Sequence, residues 1–464
     1  MSTATTEKGG TALCGSPRAA DIPRLLYQAV TDPISSMQVV AQRYGGAVSV
    51  PLSRSRAFLV LSHPAHAEHV LVSHNDHYET AFTYRPLQEW IGLGLITSDG
   101  ELWERQRRLI QPLFSHRRVT ALAPHMIAAT TRMVEQWATQ AEGTVIDVGE
   151  AMSGLTLDIV GRTLLGADLT GEARRASEAV GVLQDAASSI VKNPLTWVSP
   201  RAAARMTPGL RRWTRSMRTL EELIDATIAE RMAAPSSAAA PHDLLDALVG
   251  ARDEQGQGIE RRQIRDEIIT FFMAGHETSA MALTWTLYLL STAPSVRERL
   301  EAEVDAVLSG RTPGAADVES LPWTKAVLSE SMRLYPPVWT IERDCVVPDD
   351  VCGIPVRKGS TVAVPPYLVH RHPDVWENPE GFDPERFIGA RAAGRHRYAW
   401  IPFGGGRRGC IGNVFALMEM VIALVMISQR HRLDLVPGFD PRPKVTVTLR
   451  PRQPLLMTVH HRSS

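Results

Sequence analysis

A single cysteine sits inside a glycine- and arginine-rich loop: Phe403-Gly404-Gly405-Gly406-Arg407-Arg408-Gly409-Cys410-Ile411-Gly412. The glycines let the backbone turn sharply and approach a flat ligand closely. Arg407 and Arg408 favour the thiolate of Cys410, which is the form that ligates metal. The helical pattern from Asn413 to Ile427 also aims the positive end of a helix dipole at the sulfur. The same stretch matches Gly-x-Gly-x-x-Gly at Gly404, Gly406 and Gly409, a dinucleotide-binding pattern. Against that reading, Pro402 stands where a central strand should end, and no repeated strand-helix-strand pattern surrounds it.

Three further groups could do chemistry. Ala274-Gly275-His276-Glu277-Thr278 puts a glycine, an ionisable Glu and a back-bonding threonine at the centre of Ile264–Leu290, a stretch apolar on nearly every face. Local helix distortion is expected there. Glu330 and Arg333 are three apart on a helix that opens at Pro322 and ends before Pro336-Pro337, so they can pair on one face. Trp103 and Arg107 are four apart and offer an indole N–H and a guanidinium fork suited to a carboxylate.

The pattern Phe403-x-x-Gly406-x-Arg408-x-Cys410-x-Gly412 resembles the haem-binding signature of the cytochromes P450, with every signature position filled. Five fixed residues in such a window arise by chance in roughly one in ten thousand chains of this length. The resemblance implies haem b (iron protoporphyrin IX) with Cys410 as axial ligand, and with Phe403 and Gly412 in the cofactor site. Such a thiolate pushes electron density onto iron and promotes O–O cleavage. Pro384-Glu385-Arg386-Phe387 resembles the segment whose arginine joins the Glu-x-x-Arg pair, which makes Glu330, Arg333 and Arg386 a buried structural network supporting the cysteine loop. Trp103, Arg107, Arg343 and Arg408 are implied as partners of the haem propionates. Ala274-Gly275-x-Glu277-Thr278 matches the oxygen-activating segment, implying proton delivery by Glu277 and Thr278.

The implied reaction is insertion of one atom of O2 into an apolar small molecule, as hydroxylation or epoxidation. Mostly apolar residues, Phe82, Leu87, Leu95 and Ile96 before or near the tryptophan helix, Ala274, and Val338 and Ile341, are the expected substrate lining. The Leu334–Arg343 segment resembles actinobacterial enzymes acting on terpenoids, with fatty acids or polyketides as alternatives. No flavin or nicotinamide domain is visible, so ferredoxin and ferredoxin reductase are the expected electron donors. A haem-thiolate peroxygenase or isomerase without electron donor, or a non-catalytic haem-binding protein, are the competing classes.

The elements that must position these groups are mostly helical. Short β-type runs at Ala47–Leu52 and Ala57–Leu61 and near the end, at Lys444–Leu449, predict a small β region built from both ends of the chain. The expected fold is therefore mainly α with a small β region, the cytochrome P450 prism around a buried haem. It spans 1–464 as a single domain, with about the first 20 residues a flexible segment. Ala234–Pro241 and Gly310–Asp317 read as surface loops rather than linkers. The 464 residues carry 50 Lys+Arg against 50 Asp+Glu, which gives no global electrostatic case for nucleic acid. Four scattered cysteines and a polar N-terminus predict a cytoplasmic protein without disulfides, zinc or membrane anchor. The apolar run Val414–Ile427 falls short of a membrane span.

Overall fold

The computed structural model describes residues 14–18, 20–166, 206–233 and 243–462. The first 13 residues and the 234–241 stretch, both subjects of sequence expectations, lie outside them. From Gly15 onward the chain is tied down: Gly15 donates its amide to the carbonyl of Ala47 and accepts from Ser49, at 2.9 Å each.

Two compact units divide the chain, and the backbone changes unit near 83, 338, 381, 394 and 409. None of these boundaries falls in either loop stretch first considered as a linker. The first unit holds a five-stranded sheet in the order Ala47–Pro51, Ala57–Leu61, Thr361–Val364, Ile341–Cys345, Tyr78–Thr80. Only the pair Ala57–Leu61 and Thr361–Val364 is parallel. Leu59, Leu61, Val362 and Val364 form its buried apolar core.

The expectation of one β region made by both chain ends is corrected here. The N-terminal strands pair with residues 341–364, whereas the C-terminal strands build separate sheets in the second unit. Lys444–Leu449 is not one strand but a hairpin of Pro443–Val445 with Leu449–Pro451. Thr446 makes the turn, its amide and hydroxyl both donating to the carbonyl of Thr448 at 2.9 and 2.8 Å.

The second unit is built on helices. The apolar stretch forms Arg261–Thr292, a helix of 32 residues buried along most of its length. The α-helix runs unbroken through Ala274–Thr278, so the expected distortion does not interrupt it. Gly275 is explained by packing instead: a Cβ there would stand 3.3 Å from Val160 on the neighbouring helix Val148–Leu165.

Asn413–Arg430 packs on the long helix and on His116–Ala138. At 18 residues it reaches the length of a membrane span, contrary to the sequence expectation, yet most of it is buried within the protein. Glu419 lies on this helix with no exposed surface, and among the described residues neither carboxylate oxygen has a partner at full hydrogen-bond geometry. Burial pushes its pKa up to about 8, eased only by the neighbouring Ser279 hydroxyl.

That burial has a pH signature. Unfolded, Glu419 ionises near 4.5; folded, near 8. Between those values the unfolded chain holds fewer protons than the native one, so stability falls as pH rises, by at most about 1.4 kcal/mol per pH unit, and levels off above 8. Glu419→Gln, neutral throughout, should flatten the fall of Tm between pH 5 and 8. Equal slopes for variant and parent would show that the acid is not buried as the neutral form.

Candidate functional site

Within the second unit, Cys410 combines two properties that rarely coincide. Its residue surface is accessible, yet protein packs densely enough around the thiol that burial is the largest influence on its pKa, pushing it up. Such a side chain can be reached by a bound group while protein surrounds it. The influences that favour the thiolate are the amide of Gly412 and the guanidinium of Arg107. Arg107, on a different helix, is thus a cation that counters burial, an influence on the thiol that the sequence reading did not name.

Arg107 is half-buried on the helix Gly100–Ile110, one turn beyond the buried Trp103. Burial holds its pKa below the usual arginine value while Cys410 raises it, and its Nε donates to Gln111 Oε1 at 3.2 Å. Gly412 precedes the first turn of Asn413–Arg430 and accepts from Ala416 at 2.9 Å.

On the long helix, Met273, Ala274, Gly275 and Thr278 keep accessible surface in the middle of a buried segment. Ala274 and Thr278, four apart, share a face. The hydroxyl of Thr278 donates to the carbonyl of Ala274 at 2.7 Å. Glu277 is buried and already engaged: Oε1 accepts from Arg450 Nε at 2.7 Å and from the hydroxyl of Thr448. Both partners sit at the C-terminal hairpin, and no motif announced them.

The structure brings Glu330, Arg333 and Arg386 together in one buried network. Glu330 accepts Arg333 Nε at 2.7 Å and Nη2 at 2.8 Å, and its Oε1 lies 3.4 Å from Arg386 Nε. A fourth member was missed: the amide of Asp383 donates to the same oxygen at 2.9 Å.

Of the expected substrate residues in this unit, Leu95 is buried in the apolar core and Leu87 packs against it, while Ile96 and Val338 are exposed. The loop carrying Leu95 is pinned to the long helix by two acids that sequence reasoning passed over. Asp266 accepts the amide of Leu93 at 3.0 Å and Glu267 that of Leu95 at 3.1 Å. Gly92 and Gly94 permit this approach, since a Cβ would meet Asp266 at 2.2 Å and Thr270 at 2.0 Å respectively. Burial pushes Glu267 up to about 8. The available signal was an acid pair inside an otherwise apolar helix. A surface cleft of about 310 Å³, lined by residues such as Arg108, Arg118 and Asp246, contains none of the expected site residues.

The first unit holds the remaining candidates. Phe403, Arg408 and Arg343 are half-buried, Ile341 is in the core and Phe82 is exposed. The glycine loop rests on backbone: at Gly406, whose φ is +64°, a Cβ would lie 1.9 Å from the carbonyl oxygen of Leu71. Arg343 donates to the carbonyl of Glu342 at 2.8 Å.

A family model described as "Cytochrome P450" matches residues 23–459. The chain belongs to the cytochrome P450 family. This P450 is 33% identical over 396 residues to the cyclooctat-9-en-7-ol 5-monooxygenase of Streptomyces melanosporofaciens, covering 85% of this chain and 84% of that one. It is 30% identical over 438 residues to the pentalenene oxygenase of Streptomyces avermitilis, covering 94% of each. The fold matches the crystal structure of the cytochrome P450DA heme domain with a TM-score of 0.84 at 25% identity, over 97% and 98% of the two chains. The protein is a haem-dependent monooxygenase, an oxidoreductase. Its residues fit that cofactor: an accessible thiol, the guanidinium of Arg107 acting on it, and a helix face where Ala274, Gly275 and Thr278 keep accessible surface.

Glu330→Ala leaves two buried guanidinium groups without their shared carboxylate. It should cost about 3–5 kcal/mol, a large share of a typical folding free energy. Denaturant unfolding and haem content measure this; parental values in the variant would mean that the network carries no such load.

Proposed function

We propose that this P450 inserts one atom of O2 into an apolar, largely hydrocarbon small molecule, by hydroxylation or epoxidation, with Cys410 as the axial thiolate. The observation that carries the reading is the thiol of Cys410, accessible yet enclosed by protein, with Arg107 acting on it. Haem held by a thiolate supplies O2 activation and O–O cleavage. Arg107 and Trp103 would hold propionates in the second unit. Arg343, Phe403 and Arg408 belong to the first unit, and their roles toward the cofactor are proposed on the motif alone.

Glu277 and Thr278 are the proposed proton-handling pair. Glu277 Oε1 holds a charged partner in Arg450, and Thr278 Oγ1 can leave the Ala274 carbonyl to orient water. Ala274, Leu87, Leu95, Ile96 and Val338, with Phe82 and Ile341 of the first unit, are the proposed substrate contacts. The relatives' names support a terpenoid-like substrate, since they specify cyclooctat-9-en-7-ol and pentalenene. Ferredoxin with its reductase is the proposed electron source, and Arg117, Arg118 and Arg407 are exposed cations that suit an acidic donor. We place the protein in the cytoplasm, consistent with four free cysteines.

The thiolate assignment is tested by the ferrous carbon monoxide complex, whose red-shifted Soret band should vanish in Cys410→Ser because an alcohol is a far weaker anionic ligand. Retention of the band would end it.

Thr278→Ala should keep haem and electron uptake but send reducing equivalents to peroxide, so product per electron falls. Thr278→Val separates shape from chemistry, being similar in size without the hydroxyl. Parental coupling in both variants would leave Thr278 a helix residue only; product formation from peroxide alone at the parental rate would point to a peroxygenase.

A further inference from the structure

The helix Pro64–Glu68 runs on into a π-turn, His69–Ser73, closed by the amide of His74 donating to the carbonyl of His69 at 2.9 Å. This turn sets two imidazoles side by side: the His69 and His74 rings stack with centroids 3.9 Å apart and planes 10° from parallel. His77 stands edge-on to His74 at 5.4 Å. Such π-turns are rare and concentrate at functional sites.

Asp349, the first residue of the strand Asp349–Val351, faces them. Its Oδ2 accepts His69 Nε2 at 2.9 Å and the Tyr78 hydroxyl at 2.8 Å, and its Oδ1 lies 3.6 Å from His77 Nδ1. Burial works against the Asp349 anion, but the hydrogen bonds from Tyr78 and His69 outweigh it and hold its pKa low. The Nδ1 atoms of His74 and His77 are buried and have no hydrogen-bond partner among the described residues. One donor atom from each of His69, His74 and Asp349 lies within 4.8 Å of the others.

Imidazoles and one carboxylate are the donor set of zinc and its neighbours, whereas calcium and magnesium require oxygen ligands. We infer that His69, His74 and Asp349, with His77 as fourth donor, bind one divalent ion of the zinc class. With bonds of about 2.0–2.1 Å, tetrahedral donors stand roughly 3.4 Å apart. Closing the set therefore needs side-chain shifts of about 1 Å and the parting of the stacked rings, after which Tyr78 orients the ligating carboxylate from outside.

The site's position gives it a consequence. The same π-turn seats the glycine loop, since the Leu71 carbonyl is what leaves no room for a Cβ at Gly406. An ion joining this turn to Asp349 clamps the support of that loop.

A second histidine group, His63, His372 and Asp374, has comparable spacing. One nitrogen of each imidazole is already used: His63 Nδ1 accepts the amide of Ala65 at 3.1 Å and His372 Nδ1 that of Asp374 at 3.4 Å. Its carboxylate is also largely exposed. It serves as the control.

The test uses the full-length haem-loaded protein, stripped with chelator and titrated with Zn2+ against a chromophoric chelator, with Tm read in parallel. One Zn2+ per chain and a higher Tm are expected. His74→Ala removes a donor without touching the Asp349 hydrogen bonds and should weaken binding by at least about tenfold, with haem content reporting that the variant is folded. His372→Ala should leave the affinity unchanged. No binding by the parent, unchanged affinity in a folded His74→Ala, or loss of affinity in His372→Ala would each overturn the inference. Should His74→Ala fail to fold, His77→Ala takes its place with the same expectation.

Discussion

A thiolate surrounded by protein is an unstable arrangement unless a cation meets it. Around Cys410, burial is the dominant influence and drives the group toward the neutral thiol. One amide from Gly412 and the field of Arg107 oppose it without winning. A neutral thiol is a poor metal ligand, so a haem iron bound here would itself supply the positive charge that favours the thiolate. What the protein contributes is the enclosure, the guanidinium one helix away, and a loop that delivers the sulfur in a fixed place. That last demand falls on the glycines, because at Gly406 the backbone of Leu71 leaves no room for any side chain.

The same economy governs the buried acids of the second unit. Each charge withdrawn from water needs compensation, and here compensation joins segments distant in sequence. Glu330 gathers Arg333, Arg386 and the amide of Asp383. Asp266 and Glu267 take the amides of Leu93 and Leu95, fixing the loop of the proposed substrate contacts to the long helix. Compensation is incomplete at two of these acids: burial pushes Glu267, despite the amide of Leu95, and Glu419, beside the Ser279 hydroxyl, both up to about 8, toward the neutral acid.

How much of this was legible in the sequence depends on how far apart the partners lie. Elements set by local pattern were readable: the strand Ala57–Leu61, the helix opening at Pro322, and the long apolar helix to within a few residues. The Glu330 network was readable through family motifs at 330–333 and 384–387, since each half is itself a local pattern. Pairings across long separations were not. Strand order placed residues 341–364 beside the N-terminal strands, because edge-to-edge pairing depends on tertiary position rather than on alternation. The influence of Arg107 on Cys410 was hidden for the same reason: a different helix supplies it.

Glu277 and Thr278 carry this point into the chemistry. They are neighbours in sequence but bind opposite kinds of partner: the carboxylate holds Arg450 and Thr448 at the C-terminal hairpin, the hydroxyl holds a carbonyl of its own helix. Both contacts of the carboxylate fall on Oε1, so moving that oxygen means giving up Arg450 and Thr448, and turning the hydroxyl means giving up the Ala274 carbonyl. For Thr278 the exchange is small, because a back-bonded hydroxyl needs only a rotation about χ1 and the helix ladder does not depend on it. For Glu277 it is larger, because a buried carboxylate leaving its guanidinium strands two charges at once. The Arg450 contact therefore ties the C-terminal hairpin to the long helix, and any role of Glu277 in the proposed proton handling would depend on that contact.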